Sequence, residues 1–438
     1  MSSQVHLAPV RGRARIEVLD VLRGIAILGI FYMNIPFMAG PISAVIGDFR
    51  QMGWSGADQT AWSIIYVTWE GTQRGILEFL FGAGLMVTAA KAMEPDGPVA
   101  VADLYIRRNL WLLAFGLIDI FALLWPGDIL HIYALAALAL FPFRKLSLRW
   151  LIPLGLLFAS FVLVTGASQY FERVATQQTY AVAMGKQAHG QKLSPAEQEA
   201  VSQWHKSEQR IAGHNPEFAE IIKQEVSGRN GSMGDYAGFM WAGYMWILGQ
   251  GGLFFGVCEA FCAMLLGIAL WKLGVIQGQR TSREYLGIML IAYGLGMGAR
   301  LLGVSELLTF SPIPKTAWAT QELARLAVSL GHVALINLAV KAAAGRRLLA
   351  PFKAAGQMAF SLYFLEQIFG IWFLFSPIGL HLPGAQGWAQ LAWQASAVVV
   401  VLLIFANLWM RSFVSGPLEW VWRSLAYLQR QPFRRSRS

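Results

Sequence analysis

The chain has 438 residues, 56% of them hydrophobic and only 14% charged, with a mean hydropathy of +0.48; soluble domains carry about 25% charged residues. That excludes a soluble globular domain, and because the apolar runs are continuous rather than alternating it also excludes a transmembrane β-barrel. The net charge of +10 is read as Lys and Arg gathered in membrane-flanking loops, with no nucleic-acid partner.

The chain opens with a polar, basic leader, MSSQVHLAPVRGRARIEVLD, followed by the apolar run VLRGIAILGIFYMNIPFMAG at 21–40. The run is too long for the hydrophobic part of a cleavable signal, so it is expected to stay as a first span. Arg23 lies inside it, with Asp20 just before and Asn34 deeper; an ion in a membrane helix is expensive and points to function. Further spans are expected at about 60–90 (long enough to break), 109–125, 128–143, 150–168, 250–271, 284–303, 322–341, 357–377 and 388–411. The predicted fold is therefore all-α and polytopic, with about ten transmembrane helices. Pro126-Gly127 should turn the third span tightly into the fourth. Residues 169–235 are polar and charged and divide two five-helix halves, 1–168 and 236–438. The stretch YAGFMWAGYMW at 236–246 is expected in the membrane interface.

Lys and Arg counts predict orientation. With the N-terminus inside, the cytoplasmic stretches hold 22 of them and the short outer loops only Arg50 and Lys315. Both termini are thus expected in the cytoplasm, 169–235 outside, and the basic tail LQRQPFRRSRS against anionic lipid headgroups. The compartment this implies is a bacterial cytoplasmic membrane.

Few residues can carry chemistry. Glu70, Arg74 and Glu78 fall at i, i+4 and i+8, where Arg74 could bond both carboxylates; the spacing suits a structural stripe or a functional one. In WPGDILHIY, Asp128 can cap the fourth span and His131 lies over it one turn on. An Asp beside a His orients the ring and raises its basicity, as a general base needs; the plain alternative is a cap and an interfacial His. His332 is central in the eighth span and could be a core residue or a ligand contact. Arg300 and Arg325, at the outer ends of the seventh and eighth spans, could clamp an acidic or sugar group or snorkel to headgroups. Cys258 and Cys262 read as packing residues, and the glycines of FGAGL and GLGMG as close helix contacts. No metal-ligand spacing, Walker loop or dinucleotide fingerprint is present.

Several segments together resemble the YeiB-like family, domain of unknown function 418: LDVLRGIAILGIFYMNI, GILEFLFGAGL, WPGDILHIYALAALAL, GQMAFSLYFLEQ and GPLEWVWRSLAY. The resemblance runs from residue 16 to 428. That family is similar to a wider superfamily of transmembrane acyltransferases, including heparan glucosaminide acetyltransferases and bacterial polysaccharide O-acyltransferases. The resemblance implies transfer of an acyl group from cytosolic acyl-CoA to a hydroxyl or amine on a glycan or lipid, outside or within the membrane. It places Arg23 where relatives have an arginine and Asn34 where many have a histidine. The base is then either displaced to His131 or absent. Asp119 stands where many relatives have a polar residue.

Two functions fit these residues. In an acyltransferase, Arg23 would hold the CoA phosphates and Asn34 the thioester carbonyl. His131, set by Asp128, would be the base, and Arg300, Arg325 and His332 would meet the acceptor. In a carrier or lipid-handling protein, the same ions would line a path and no bond would be made.

Overall fold

In lipid a backbone has no water to bond, so a long apolar run must satisfy its own N–H and C=O groups as helix. A computed structural model of the protein, describing residues 16–89, 98–211, 216–384 and 386–435, shows this: the described residues contain helices and no strand, with a single isolated bridge between Phe413 and Arg434. The leader arginines Arg11, Arg13 and Arg15, with Lys91 and His214, lie outside the described residues.

The helices are α1 Glu17–Ala39, α2 Ile42–Ile46, α3 Gly56–Trp69, α4 Thr72–Ala89, α5 Pro98–Phe121, α6 Leu130–Leu140, α7 Leu148–Gly155, α8 Leu157–Ala188 and α9 Pro195–Ile211. There follow α10 Pro216–Asn230, α11 Met233–Gly249, α12 Gly252–Lys272, α13 Ser282–Leu307, α14 Ala317–Lys341, α15 Ala343–Gln357, α16 Ala359–Gln367, α17 Trp388–Ser412 and α18 Pro417–Ala426. Among the described residues, 6 helices are long and apolar enough to cross a membrane, and the pair α15–α16, bent by 77°, makes up to 7. The remaining expected spans, 60–90, 109–125 and 128–143, are helical but shorter or more polar.

The run 60–90 is broken. α3 ends at Trp69, Gly71 turns the chain with a φ of 62°, and α4 restarts at Thr72. Arg300 of α13 seals the break: its guanidinium donates to the carbonyls of Val67 and Glu70, left orphaned by the end of α3, and to the Thr72 hydroxyl. The long loop is helical too. α8 runs 32 residues, about 48 Å, and leads into α9 and α10. These sit on the face where α1 ends, because Arg229 of α10 donates to the carbonyls of Phe37 at 3.0 Å and Met38 at 2.8 Å. This is the cap face; the face where α1 begins is the N-terminal face. α11 follows as a 17-residue helix with a Ser232–Asp235 capping box, exposing Trp241, Met245 and Trp246 as an interfacial helix does.

Three close helix crossings set the interior. A Cβ on Gly24 would overlap the Phe352 carbonyl and one on Gly356 the Asp20 carbonyl, so α1 and α15 meet backbone to backbone. Gly82 of α4 and Gly267 of α12 meet in the same way, which gives FGAGL its packing role; Gly84 of that motif has open space beside it. In GLGMG only Gly296 touches a neighbour, at Val328 of α14.

Candidate functional site

Asp128 and His131 meet as their spacing predicted. Asp128 Oδ2 accepts from the His131 backbone N–H at 2.9 Å, bonding an orphan donor of the first turn of α6, and pairs with His131 Nδ1 at 2.7 Å. Beside a carboxylate the Nδ1–H is the donor, which leaves Nε2 as the acceptor. Asp128 is 1% and His131 4% exposed, and the ring stands edge-on to Tyr244 of α11, on the cap side.

Three further residues complete this cluster. Tyr363 of α16 donates its hydroxyl to Asp128 Oδ1 at 3.1 Å and accepts from the Ile129 N–H at 3.3 Å. Asp119, at the end of α5, is fully buried against Asp128 and Tyr363. Gly116, one turn earlier, makes room: a Cβ there would stand 2.5 Å from the His131 nitrogen and 2.7 Å from Asp128 Oδ2. Tyr363 lies 235 residues from Asp128, and no local spacing announces it.

A cavity of about 220 Å³ lies between this cluster and the N-terminal face. Its walls are apolar, with Ile27 of α1, Leu77, Leu80, Phe81 and Leu85 of α4, and Leu112 of α5. Ile129, Leu130, Tyr133 and Tyr363 close its far end. The lining runs from Leu77 to Thr88, about 16 Å along α4. Arg23, Arg108 and Arg423 line its opposite end, with Glu419 and Trp422 of α18. Arg23 also pairs with Asp20 at 3.2 Å, and Arg108 lies 4.8 Å from the centre of the Trp422 ring. The cavity thus joins Arg23 to the Asp128–His131 pair through Tyr363, without either member of the pair lining it.

The other expected site residues lie elsewhere. Asn34 is half-buried and does not line the cavity; it stands seven residues beyond Ile27, the last residue of α1 that does, about 10 Å further along the helix. His332 Nδ1 bonds the Tyr293 hydroxyl at 3.0 Å, edge-on to Trp69, away from the pair. Arg300 is 5% and Arg325 4% exposed, and both turn their donors to protein groups rather than to an open acceptor vestibule. Arg325 is not at the edge of its span: α14 starts at Ala317, which sets it two turns inside. There it bonds Glu78 at 2.7 Å, Glu322 at 2.7 Å and Glu259 at 3.2 Å. Arg74 pairs with Glu259 at 3.0 Å. The expected Glu70–Arg74–Glu78 stripe is therefore replaced by an ion network across α4, α12 and α14. The break at Gly71 takes Glu70 off the helix face, and α12 and α14 bring partners the sequence did not place.

The helices and their buried ions define a polytopic α-helical membrane protein. Residues 270–429 match the family described as protein of unknown function, DUF418. The chain is 31% identical over 440 residues to the uncharacterized protein YxaH of Bacillus subtilis (strain 168), covering 97% of this chain and 98% of that one. It is 24% identical over 422 residues to the uncharacterized protein YeiB of Escherichia coli (strain K12), covering 93% and 95%. The chain belongs to this YeiB-like DUF418 family. No solved structure matches it.

Proposed function

We propose that this chain transfers an acyl group from acyl-CoA, bound from the cytoplasm, to a hydroxyl or amine at the opposite side of a bacterial cytoplasmic membrane or within it. The observation that carries the reading is Tyr363, which closes an apolar cavity on one side and holds Asp128 of the Asp128–His131 pair on the other. The Lys and Arg bias supports a cytoplasmic N-terminal face. Arg23, Arg108 and Arg423 at the cavity mouth then meet the donor's phosphates, and the apolar walls take its acyl end.

The chemistry needs one base. His131 Nε2 accepts the proton of the acceptor O–H while Nδ1–H stays on Asp128. The freed oxygen attacks the thioester carbonyl, the C–S bond breaks, and the thiolate leaves and is protonated by the imidazolium. An ester and a free thiol result. General-base catalysis of this kind is worth about 10²–10⁴-fold. His131→Ala should lower transfer by that factor while labelled acyl-CoA still binds, and His131→Gln should do the same in a side chain that stays polar. Full turnover in His131→Ala would remove this residue as the base.

A carrier is the second reading, favoured by the membrane-buried network of Arg74, Glu259, Arg325 and Glu78 and by the break between α3 and α4. Saturable acyl-CoA binding without turnover in the purified wild type would select it, and absence of any CoA binding would sink the donor assignment.

A further inference from the structure

Among the described residues outside the cavity and the Asp128–His131 cluster, several buried polar groups have no hydrogen-bond partner, and three of them are carboxamide or carboxyl side chains with every polar atom unpaired. Gln73 of α4 is 1% exposed, and Glu366 and Gln367 at the end of α16 are 0% exposed. Both amide atoms of each glutamine and both oxygens of Glu366 are buried without a hydrogen bond. Native structures leave few such groups, and those they leave mark ordered water, catalysis or a ligand.

The three extend the two helix faces that line the cavity. Leu77, Leu80, Phe81 and Gly84 line the cavity from α4, and Gln73 stands four residues before Leu77 on the same face. Ala359, Phe360 and Tyr363 line it from α16, and Glu366 and Gln367 stand three and four residues beyond Tyr363. Both helix faces therefore continue the cavity walls by one turn, about 5 Å, toward the cap face. Gln73 lies against Gly29 of α1, where a Cβ would come within 3.0 Å of its Cγ. Directly after Gln367 the chain widens into a π-helix over Ile368–Phe375, a geometry frequent at functional sites.

We propose that Gln73, Glu366 and Gln367 form a polar binding site beyond the closed end of the cavity, and that its ligand is a neutral polyhydroxyl group. A carboxamide offers a donor and an acceptor side by side, and a carboxyl group accepts. Neighbouring hydroxyls, each both donor and acceptor, complement that set. The three side chains bring no cation to select an anionic ligand. Assigning this ligand as the acyl acceptor rests on the transfer reading; its binding does not.

The test is equilibrium dialysis of the purified full chain in lipid nanodiscs with radiolabelled glucose, myo-inositol and glycerol, with no acyl donor present, so that failure of the transfer reading leaves the result intact. At least one should bind saturably. Gln73→Leu and Gln367→Leu should each weaken that binding about tenfold while raising the melting temperature, because each removes an unpaired polar group from an apolar interior. Glu366→Gln keeps the side-chain shape, guards against a folding defect and should weaken binding by a similar factor. Saturable binding of none of the three solutes overturns the site. So does binding unchanged in all three variants, and so do Leu variants that melt lower with binding intact, which would make these side chains structural.

Discussion

Single residues in this protein are held by partners far away in sequence, and their substitution should report that. Arg325 bonds three carboxylates, Glu78, Glu259 and Glu322, at 5% side-chain exposure. A buried ion pair contributes little net stability, but removing one partner leaves charge uncompensated, at a cost of about 3–5 kcal/mol. Arg325→Met should therefore unfold at markedly lower denaturant in detergent, while Glu208→Gln, a change in an exposed α9 pair with His205, should have almost no effect. Tyr363→Phe strands the buried Ile129 N–H and frees Asp128 Oδ1. A loss of about 1–3 kcal/mol is expected, with a fall in acyl transfer if the base is set through this hydroxyl. Unchanged stability and turnover would show that the hydroxyl is incidental.

At the scale of elements, helix ends explain motifs that look like plain sequence identity. GPLEWVWRSLAY forms α18, and its Glu419 accepts from the N–H groups of Phe360 at 2.7 Å and Ser361 at 3.1 Å, capping α16 in the absence of a local cap. Trp422 of the same helix donates to the Arg108 carbonyl at 2.8 Å. Glu419→Ala should cost about 0.5–2 kcal/mol, the usual worth of a cap, and should loosen the cavity mouth that α18 lines. Asp58 joins two elements: it completes the Ser55 capping box of α3 and accepts from the Ala389 N–H in the first turn of α17. Burial pushes its carboxyl up, but the bonds from the Ser55 hydroxyl, the Ala389 N–H and the Ser55 N–H outweigh it and hold the group below its ordinary range. A lowered folded pKa adds stability above the unfolded value, about 3.9, and loses it as pH falls through the folded one. Asp58→Asn should thus melt lower than wild type near pH 7, and the gap should close below about pH 4. A gap that persists at acid pH would point to lost geometry rather than lost charge.

For the whole molecule the sharpest open property is orientation. The bias of 22 Lys and Arg against 2 predicts that the cap face lies outside. Ser194→Cys, at the start of α9, should react with an impermeant maleimide in intact cells; labelling only after lysis would invert the topology. Cys262 is buried and Cys258 half-buried on α12, so both should give little background.

Local signals were enough for the membrane class, the first span with Arg23, the antiparallel pairing of the third and fourth spans and the Asp128–His131 contact, because each rests on a window of side chains, a chain reversal or a separation of one helical turn. The tight turn expected at Pro126-Gly127 is instead a longer connection, since α5 ends at Phe121 and α6 starts at Leu130. The break in the run 60–90 was legible as excess length, but not its location. That depends on Gly71 and on Arg300, which arrives 230 residues later to bond the Glu70 carbonyl. Tertiary packing alone decided that Arg74 and Glu78 turn to α12 and α14, that Asn34 stands beyond the cavity, and that Tyr363, Asp119 and Gly116 surround Asp128. It also decided that Gln73, Glu366 and Gln367 are buried without a hydrogen-bond partner. The physical reason is common to all of these. Periodicity fixes which face of a helix a residue occupies, but in a uniformly apolar span it does not say which neighbour that face meets. In this chain the neighbours are chosen by a few glycine crossings and buried ions, most of whose partners lie far apart in sequence.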